Sequence, residues 1–188
     1  MTFALRVEAA GSMPAMYLRP WVEEDIPALT AECRDAAFRR GTGLALRDND
    51  DAVRWLKTQQ RGWEAGDRFS FAVLEPEEEG GFGTGGRLVA HVVLKTAAPT
   101  GPTAEVGYWT ATRARGRGVA PRALKALTTW AFETFAADGL QRLELLHQVD
   151  NPASCRVAAK TGYEFVRVLP AHPPAFPAEG HLHVRTAG

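Results

Sequence analysis

The sequence predicts an α/β fold on a mixed sheet, in a single domain. Three observations lead there. The length of 188 residues suits one domain rather than two, and a chain of this size buries about 70% of its extended surface without staples. Hydrophobic residues make up 45% and charged residues 23%, which is ordinary globular usage. Stretches of helical period alternate with strand-like runs in the order β-α-α-β-β-β-α-β-α-β-β, a pattern that lays helices against a sheet.

Residues 1–15 carry Gly11, Ser12 and Pro14 and read as a loose N-terminal arm, which leaves 16–188 as the domain. Met16–Trp21 is a short strand. Over 23–40, Ile26, Leu29, Cys33 and Ala37 fall at helical spacing, with Glu23, Glu24 and Asp25 where the helix dipole favours acids. Asp48-Asn49-Asp50-Asp51 supplies capping residues for a helix over 48–65, with Ala52, Trp55, Leu56, Gln59 and Trp63 on one side. Phe69–Leu74 and Arg87–Lys95 form a hairpin whose long, mobile loop is acidic and glycine-rich. Thr103–Trp109 is a strand, and its interior Gly107 signals a bulge or a close backbone approach. Leu124, Leu127, Ala131 and Phe135 mark an amphipathic helix over 117–136, and Pro121, tolerable only in a first turn, sets its start near Gly118. Leu140–Val149 is a strand, and Pro152–Thr161 is a helix capped by Asn151 and stopped by Gly162. Tyr163–Leu169 and His181–Arg185 are the last strands, joined through a Pro-rich turn at 172–177.

Lysine plus arginine equals aspartate plus glutamate, 22 each, so the formal charge is zero. That argues against a nucleic-acid partner, which calls for a broadly basic chain. Two cysteines, Cys33 and Cys155, make neither a disulfide framework nor a thiolate metal cage. No apolar run approaches the ~18 residues of a membrane span, and no basic start precedes a long apolar stretch. The expectation is a cytoplasmic protein with no membrane partner, as a monomer or homodimer.

Two glycine clusters invite a phosphate reading. Gly81-Phe-Gly83-Thr-Gly85-Gly86 contains G-x-G-x-x-G but sits between two strands and opens no helix, so it reads as a hairpin loop. Arg113-Ala-Arg115-Gly116-Arg117-Gly118-Val119-Ala120 follows a strand and opens a long helix. Free amides and the macrodipole converge at such a start, and glycines let a bulky anion approach the backbone. Four arginines and one lysine lie between Glu105 and Glu133 with no acid among them, a local anion site inside a neutral chain. The alternative is a solvated basic helix face. The segment is not a P-loop, because G-K-[ST] is missing, and Pro121 stands where a dinucleotide fold needs its third glycine.

Arg113-x-x-Gly116-x-Gly118 resembles the Q/R-x-x-G-x-G/A signature of the GNAT acyl-CoA-dependent N-acyltransferases. Asn151-Pro-Ala-Ser154 followed by Lys160-Thr-Gly162-Tyr163 resembles the next motif of that superfamily. Glu105-Val-Gly-Tyr-Trp109 and Arg19-Pro-x-x-x-x-Asp25 are similar to its RimJ/RimL-like branch. The match is best over 103–168. The resemblance implies a single-domain GNAT fold: a mostly antiparallel sheet of six to seven strands, splayed at a bulge, with helices on both faces. It implies an acetyltransferase that moves an acetyl or other short acyl group from acyl-CoA to a primary amine by direct attack. The acceptor would be a protein N-terminus or a small-molecule amine. The alternative is a non-catalytic acyl-CoA-binding or scaffold module with the same fold.

Carried over residue by residue, the resemblance implies that backbone groups of Tyr108, Trp109 and Thr110 pair with pantetheine like an added strand. An unpaired N–H at the bulge would stabilise the thioester oxyanion. Amides of Arg115, Gly116, Arg117, Gly118, Val119 and Ala120 would hold the pyrophosphate. Arg113, Arg115 and Arg117 would reach the 3′-phosphate or stay solvated. Asn151 would touch the pantetheine arm or simply cap its helix. Many relatives carry a tyrosine as the acid for the departing thiolate where this chain has Ala158, which leaves Ser154, a water or no acid. Glu105 is the first candidate for the base and His147 the second, and each also reads as an ordinary strand residue. His181 and His183 share a strand face and would line the acceptor site. Two histidines without a third ligand make a weak metal case, so no metal is expected. Tyr163 reads as core.

Overall fold

The computed structural model describes residues 3–44, 46–76, 86–96, 101–173 and 177–188. Most of the glycine-rich hairpin loop and the middle of the Pro-rich turn lie outside the described residues. Among the described residues, eight strands form one sheet: β1 Leu5–Val7, β2 Met16–Pro20, β3 Arg68–Glu75, β4 Arg87–Thr96, β5 Thr103–Thr110, β6 Arg142–Gln148, β7 Glu164–Leu169 and β8 Gly180–Thr186. The helices are α1 Ile26–Cys33, α2 Ala36–Thr42, α3 Asn49–Ala65, α4 Val119–Thr134 and α5 Pro152–Lys160. The sheet order is β1-β2-β3-β4-β5-β6-β8-β7. β5 and β6 run parallel and every other pair is antiparallel.

The eighth strand comes from the segment read as a loose arm. Leu5, Arg6 and Val7 pair with Leu18, Tyr17 and Met16. Phe3, just before β1, lies about 6 Å from the rings of Trp63, Phe71 and Trp130. A three-residue strand is too short for a period-2 signal; edge pairing and an aromatic contact hold it.

The expected helix over 23–40 is broken. Glu23–Asp25 is a 3₁₀ turn, α1 ends at Cys33, and α2 starts afresh. At the break Asp35 is extended, and its carboxylate accepts the Phe38 amide at 2.8 Å. Short polar side chains that bond nearby backbone favour caps over helix interiors. The break turns Phe38 fully into the core, where it meets Trp109 edge-on at 5.0 Å. The Arg19…Asp25 motif is structural here: two charge-assisted bonds of 2.7 and 2.8 Å join the pair, both side chains about 5% exposed or less. Asp25 also accepts the Val22 amide, so this pair fixes the angle between β2 and α1.

Alternation along the strands divides the core in two. Met16, Leu18, Phe71, Val73, Val92, Leu94, Ala104 and Val106 pack with Leu124, Leu127 and Ala131 of α4. Tyr17, Ala72 and Leu74 face the other way, against Leu29, Phe38, Ala52 and Leu56 of α1–α3. Helices therefore cover both faces, as period-2 side-chain direction requires. Each fully buried leucine contributes about 1.5–3 kcal/mol. α3 starts where expected: Asp48 caps it by accepting the Asp51 amide at 2.8 Å, a contact worth about 1 kcal/mol. Among the described residues no helix is long and apolar enough to cross a membrane.

Candidate functional site

β5 and β6 hydrogen-bond only at their beginnings. Their register runs from Thr103↔Arg142 to Val106↔Leu145 and stops. Beyond it, Gly107–Thr110 pair only with β4, and Leu146–Gln148 only with β8. The strands part into a V. The parting needs no bulge at Gly107, contrary to expectation: the β4–β5 register is unbroken, and the shifts lie at Val73/Leu74 and Phe165/Arg167. Gly107 answers to its other reading, close approach. A Cβ there would sit 3.2 Å from Val93 Cγ1.

The open edge of β5 follows from its ladder. Ala111 donates to the Val89 carbonyl at 2.9 Å. Antiparallel pairing alternates, so Trp109 and Gly107 also turn their peptide groups to β4. Those of Tyr108 and Thr110 turn into the V. Of the three residues expected to offer backbone to a ligand, two face the gap and Trp109 does not.

Both parallel strands lead into helices, so the starts of α4 and α5 lie at the same end of the V, outside the carboxyl ends of the strands. Gly116 and Gly118 have φ of 74° each, a region closed to most side chains. Gly118 is the N-cap of α4, and among the described residues no side chain caps that helix. The amides of Val119 and Ala120 thus begin a helix with its dipole uncapped. The Arg115 amide, by contrast, donates to the Thr112 carbonyl at 3.4 Å.

The arginines divide differently from expectation. Arg113 donates to Glu32 at 2.5 Å and to the Leu88 carbonyl at 2.8 Å. Arg117 donates to Glu75 at 2.7 Å, and Arg87 shares that carboxylate. Glu32 and Glu75 are buried. Glu32 also accepts the Thr112 amide. Two buried carboxylates therefore clamp the loop at both ends and hold its glycines between. Burial raises the Glu75 pKa, but bonds from Arg87 and Arg117 outweigh it and hold the carboxyl below its usual range. Arg115 is exposed.

In the V, the Tyr108 hydroxyl donates to Ser154 Oγ at 2.9 Å. Ser154 is buried in the first turn of α5, and its amide donates to the capping Asn151 carboxamide at 3.1 Å. Burial pushes the Tyr108 pKa up and keeps its hydroxyl a donor at neutral pH. Sequence reasoning assigned Tyr108 by its backbone alone. Period-2 direction, which puts Tyr108 on the face of Ala104 and Val106, was the available signal for its side chain. Ala158, one turn of α5 after Ser154, is fully buried, and Tyr163 is core, its hydroxyl bonded to Thr128 at 2.7 Å.

Glu105 lies on the opposite face of β5 from Tyr108 and accepts Lys95 Nζ at 2.5 Å. His147 points toward α5 instead. Its Nδ1 lies 2.8 Å from the Gln148 carbonyl, and its Nε2 lies 3.2 Å from His183 Nε2 and 3.6 Å from Cys155 Sγ. Burial lowers the pKa of His147 and of His183. The metal expectation counted two histidines; the fold brings together four potential ligands, His147, Cys155, His181 and His183.

Residues 16–164 match the family described as the acetyltransferase (GNAT) domain. The chain belongs to that family. The ribosomal-protein-serine acetyltransferase of Escherichia coli (strain K12) is 34% identical over 77 residues, covering 40% of this chain and 41% of that protein's length. Mycobacterium smegmatis RimJ, solved in complex with CoA-disulfide, superposes with a TM-score of 0.78 at 19% identity, over 99% of this chain and 87% of that one. The Salmonella typhimurium acetyltransferase described as modifying the N-terminal serine of 50S ribosomal subunit protein L7/L12 gives a TM-score of 0.76 at 16% identity, over 99% and 100% of the two chains. The GNAT fold thus extends over essentially the whole molecule, including β1.

Proposed function

We propose that this GNAT protein transfers an acetyl group from acetyl-CoA to the α-amine of a protein N-terminus, by direct attack while both substrates are bound. The parting of β5 and β6, with an uncapped helix start at its open end, carries the reading. The residues fit the donor substrate. Gly116 and Gly118 leave the amides of Val119 and Ala120 bare for a diphosphate. The peptide edges of Tyr108 and Thr110 offer a strand-like partner to pantetheine. The Tyr108 N–H is the first β5 donor past the last β6 pair, and donors so placed at a reacting carbonyl are worth ~10²–10³ in rate.

Ser154 supplies the proton for the departing thiolate, and Tyr108 orients and recharges its hydroxyl through their 2.9 Å bond. Glu105 accepts the amine proton through a water, oriented by Lys95. The activity of relatives on ribosomal-protein serines supports an N-terminal acceptor over a small amine, and acyl-CoA chemistry supports a cytoplasmic setting.

Thiol release from acetyl-CoA, measured across a panel of peptides and small amines, tests this. The expected result is turnover on peptides with a free N-terminus and none on the same peptides blocked there. Saturable acetyl-CoA binding without thiol release on any amine would instead support a non-catalytic acyl-CoA-binding module.

A further inference from the structure

We propose that His147, Cys155, His181 and His183 form a four-coordinate binding site for one zinc-class divalent ion. His147 and His181 are cross-strand partners on β6 and β8, and His183 pairs with Leu145 on the same face. Cys155 comes down from the first turns of α5. The four ligand atoms lie within 4.8 Å of one another.

The spacings are those of a tetrahedron about to close. With metal–sulfur and metal–nitrogen bonds of about 2.3 and 2.0–2.1 Å, tetrahedral ligands stand about 3.3 Å (N···N) and about 3.6 Å (S···N) apart. Here His147 Nε2 and His183 Nε2 are 3.2 Å apart, Cys155 Sγ is 3.6 Å from His147 Nε2, and Cys155 Sγ is 3.3 Å from His181 Nδ1. Two of the six edges already have the required length, and the edge from Cys155 to His181 is shorter than it by about 0.3 Å.

Protonation points the same way. A neutral imidazole carries one N–H. His147 directs its own at Nδ1 to the Gln148 carbonyl, 2.8 Å away. The His183 ring makes its hydrogen bond to the Tyr163 backbone. The Nε2 of His147 is then a bare lone pair 3.2 Å from His183 Nε2, a spacing that a cation between the two nitrogens fits. Backbone carbonyls that fix ring orientation from behind are the usual outer support of a metal-ligating histidine. Phe165 lies against His181 and His183, at 5.2 and 5.6 Å, and walls the group on one side.

A thiolate with three imidazoles selects a borderline-soft ion such as zinc over magnesium or calcium. All four positions are protein ligands, which is the closed pattern of a structural site. On binding, Cys155 gives its proton to solvent and the thiolate takes the fourth position. The ion would tie the first turns of α5 to β6 and β8, beside Ser154. The proposal does not depend on the acyl-transfer reading.

Cobalt(II) titration of the full chain, stripped by chelator dialysis, tests it. The expected result is saturation at one cobalt per chain, with the intense visible bands of a four-coordinate ion and a thiolate-to-cobalt charge-transfer band. Zinc should displace the cobalt. Cys155→Ser should remove the charge-transfer band and weaken binding roughly 10–100-fold or more, and His147→Gln should weaken binding while keeping the band. A second readout uses the unmodified chain. Cys33 is buried and Cys155 half-exposed, so thiol labelling under native conditions reports Cys155, and one equivalent of zinc should slow it ~10-fold or more. A spectrum without the charge-transfer band, or labelling unchanged by zinc, overturns the site and leaves a shared proton between His147 and His183.

Discussion

Tyr108 of β5 and Ser154 of α5 meet where β5 and β6 no longer bond to each other, and what each atom can do follows from the hydrogen bond between them. Tyr108 donates, so the Ser154 hydroxyl keeps its own hydrogen for a third atom. A thiol leaves fairly easily, with a pKa near ~8.5, so an acid here is worth little more than about one or two orders of magnitude. Ser154→Ala should lower kcat about 10-fold, and Tyr108→Phe somewhat less. The double variant should fall no further than Ser154→Ala, because residues acting as one relay are not additive. Steady-state thiol release gives kcat and KM separately. An unchanged kcat with a raised KM for acetyl-CoA would make Ser154 a binding group. The same scale shows why Arg113 and Arg117 mislead in sequence: their carboxylate partners, Glu32 and Glu75, stand 81 and 42 residues away. Charge clusters are legible in a sequence, and the acids that neutralise them are not.

The start of α4 acts as an element. Gly118→Glu would place a side chain at a φ of 74°, press a Cβ to 2.7 Å from Met13 Sδ, and put a carboxylate at the helix amides. Gly118→Ala carries the first two changes without the charge, and left-handed backbone there costs about 1–2 kcal/mol. Calorimetric titration with CoA should show modest weakening for the alanine variant and no measurable binding for the glutamate variant, each checked for folding by circular dichroism. Undiminished affinity in Gly118→Glu would move the anion site elsewhere. Helix starts were the readable part of this fold, since Asp48, Gly118 with Pro121, and Asn151 act on neighbours in the chain. The break at Asp35 was not readable, because what favours it is the burial of Phe38 against Trp109. β1 was not, because three residues carry no period. Half of the His/Cys cluster was visible as His181-x-His183; His147 joins it only through the pairing of β6 with β8, and Cys155 only through the packing of α5.

His91 couples the sheet to the helices on one face, so its titration belongs to the whole molecule. It is 5% exposed, accepts the Trp21 indole N–H at Nδ1 over 3.0 Å, and stacks on Trp109 at 5.5 Å. Trp21 and Trp55 close around it. Burial, then the charges of Arg68 and Lys95, bring its pKa down to about 3. The unfolded chain titrates this ring near ~6.5. Below that pH the unfolded state binds a proton the folded state refuses, so stability is complete above ~6.5 and falls as pH drops, by about 1.4 kcal/mol per unit. By pH ~4 that amounts to about 3 kcal/mol, a large share of the 5–15 kcal/mol typical of a domain. Glu75, held below its usual range, adds a second loss below pH ~4.3 as it protonates and releases Arg87 and Arg117. His91→Gln keeps an acceptor for Trp21 and cannot titrate. Urea unfolding from pH ~7 to ~4.5 should therefore show the parent chain losing stability faster than the variant by about 1 kcal/mol per unit. His147 and His183 shift in the same direction in both proteins, so the difference isolates His91. Parallel pH curves would mean that the ring accepts its proton without opening the contact between Trp21 and the sheet.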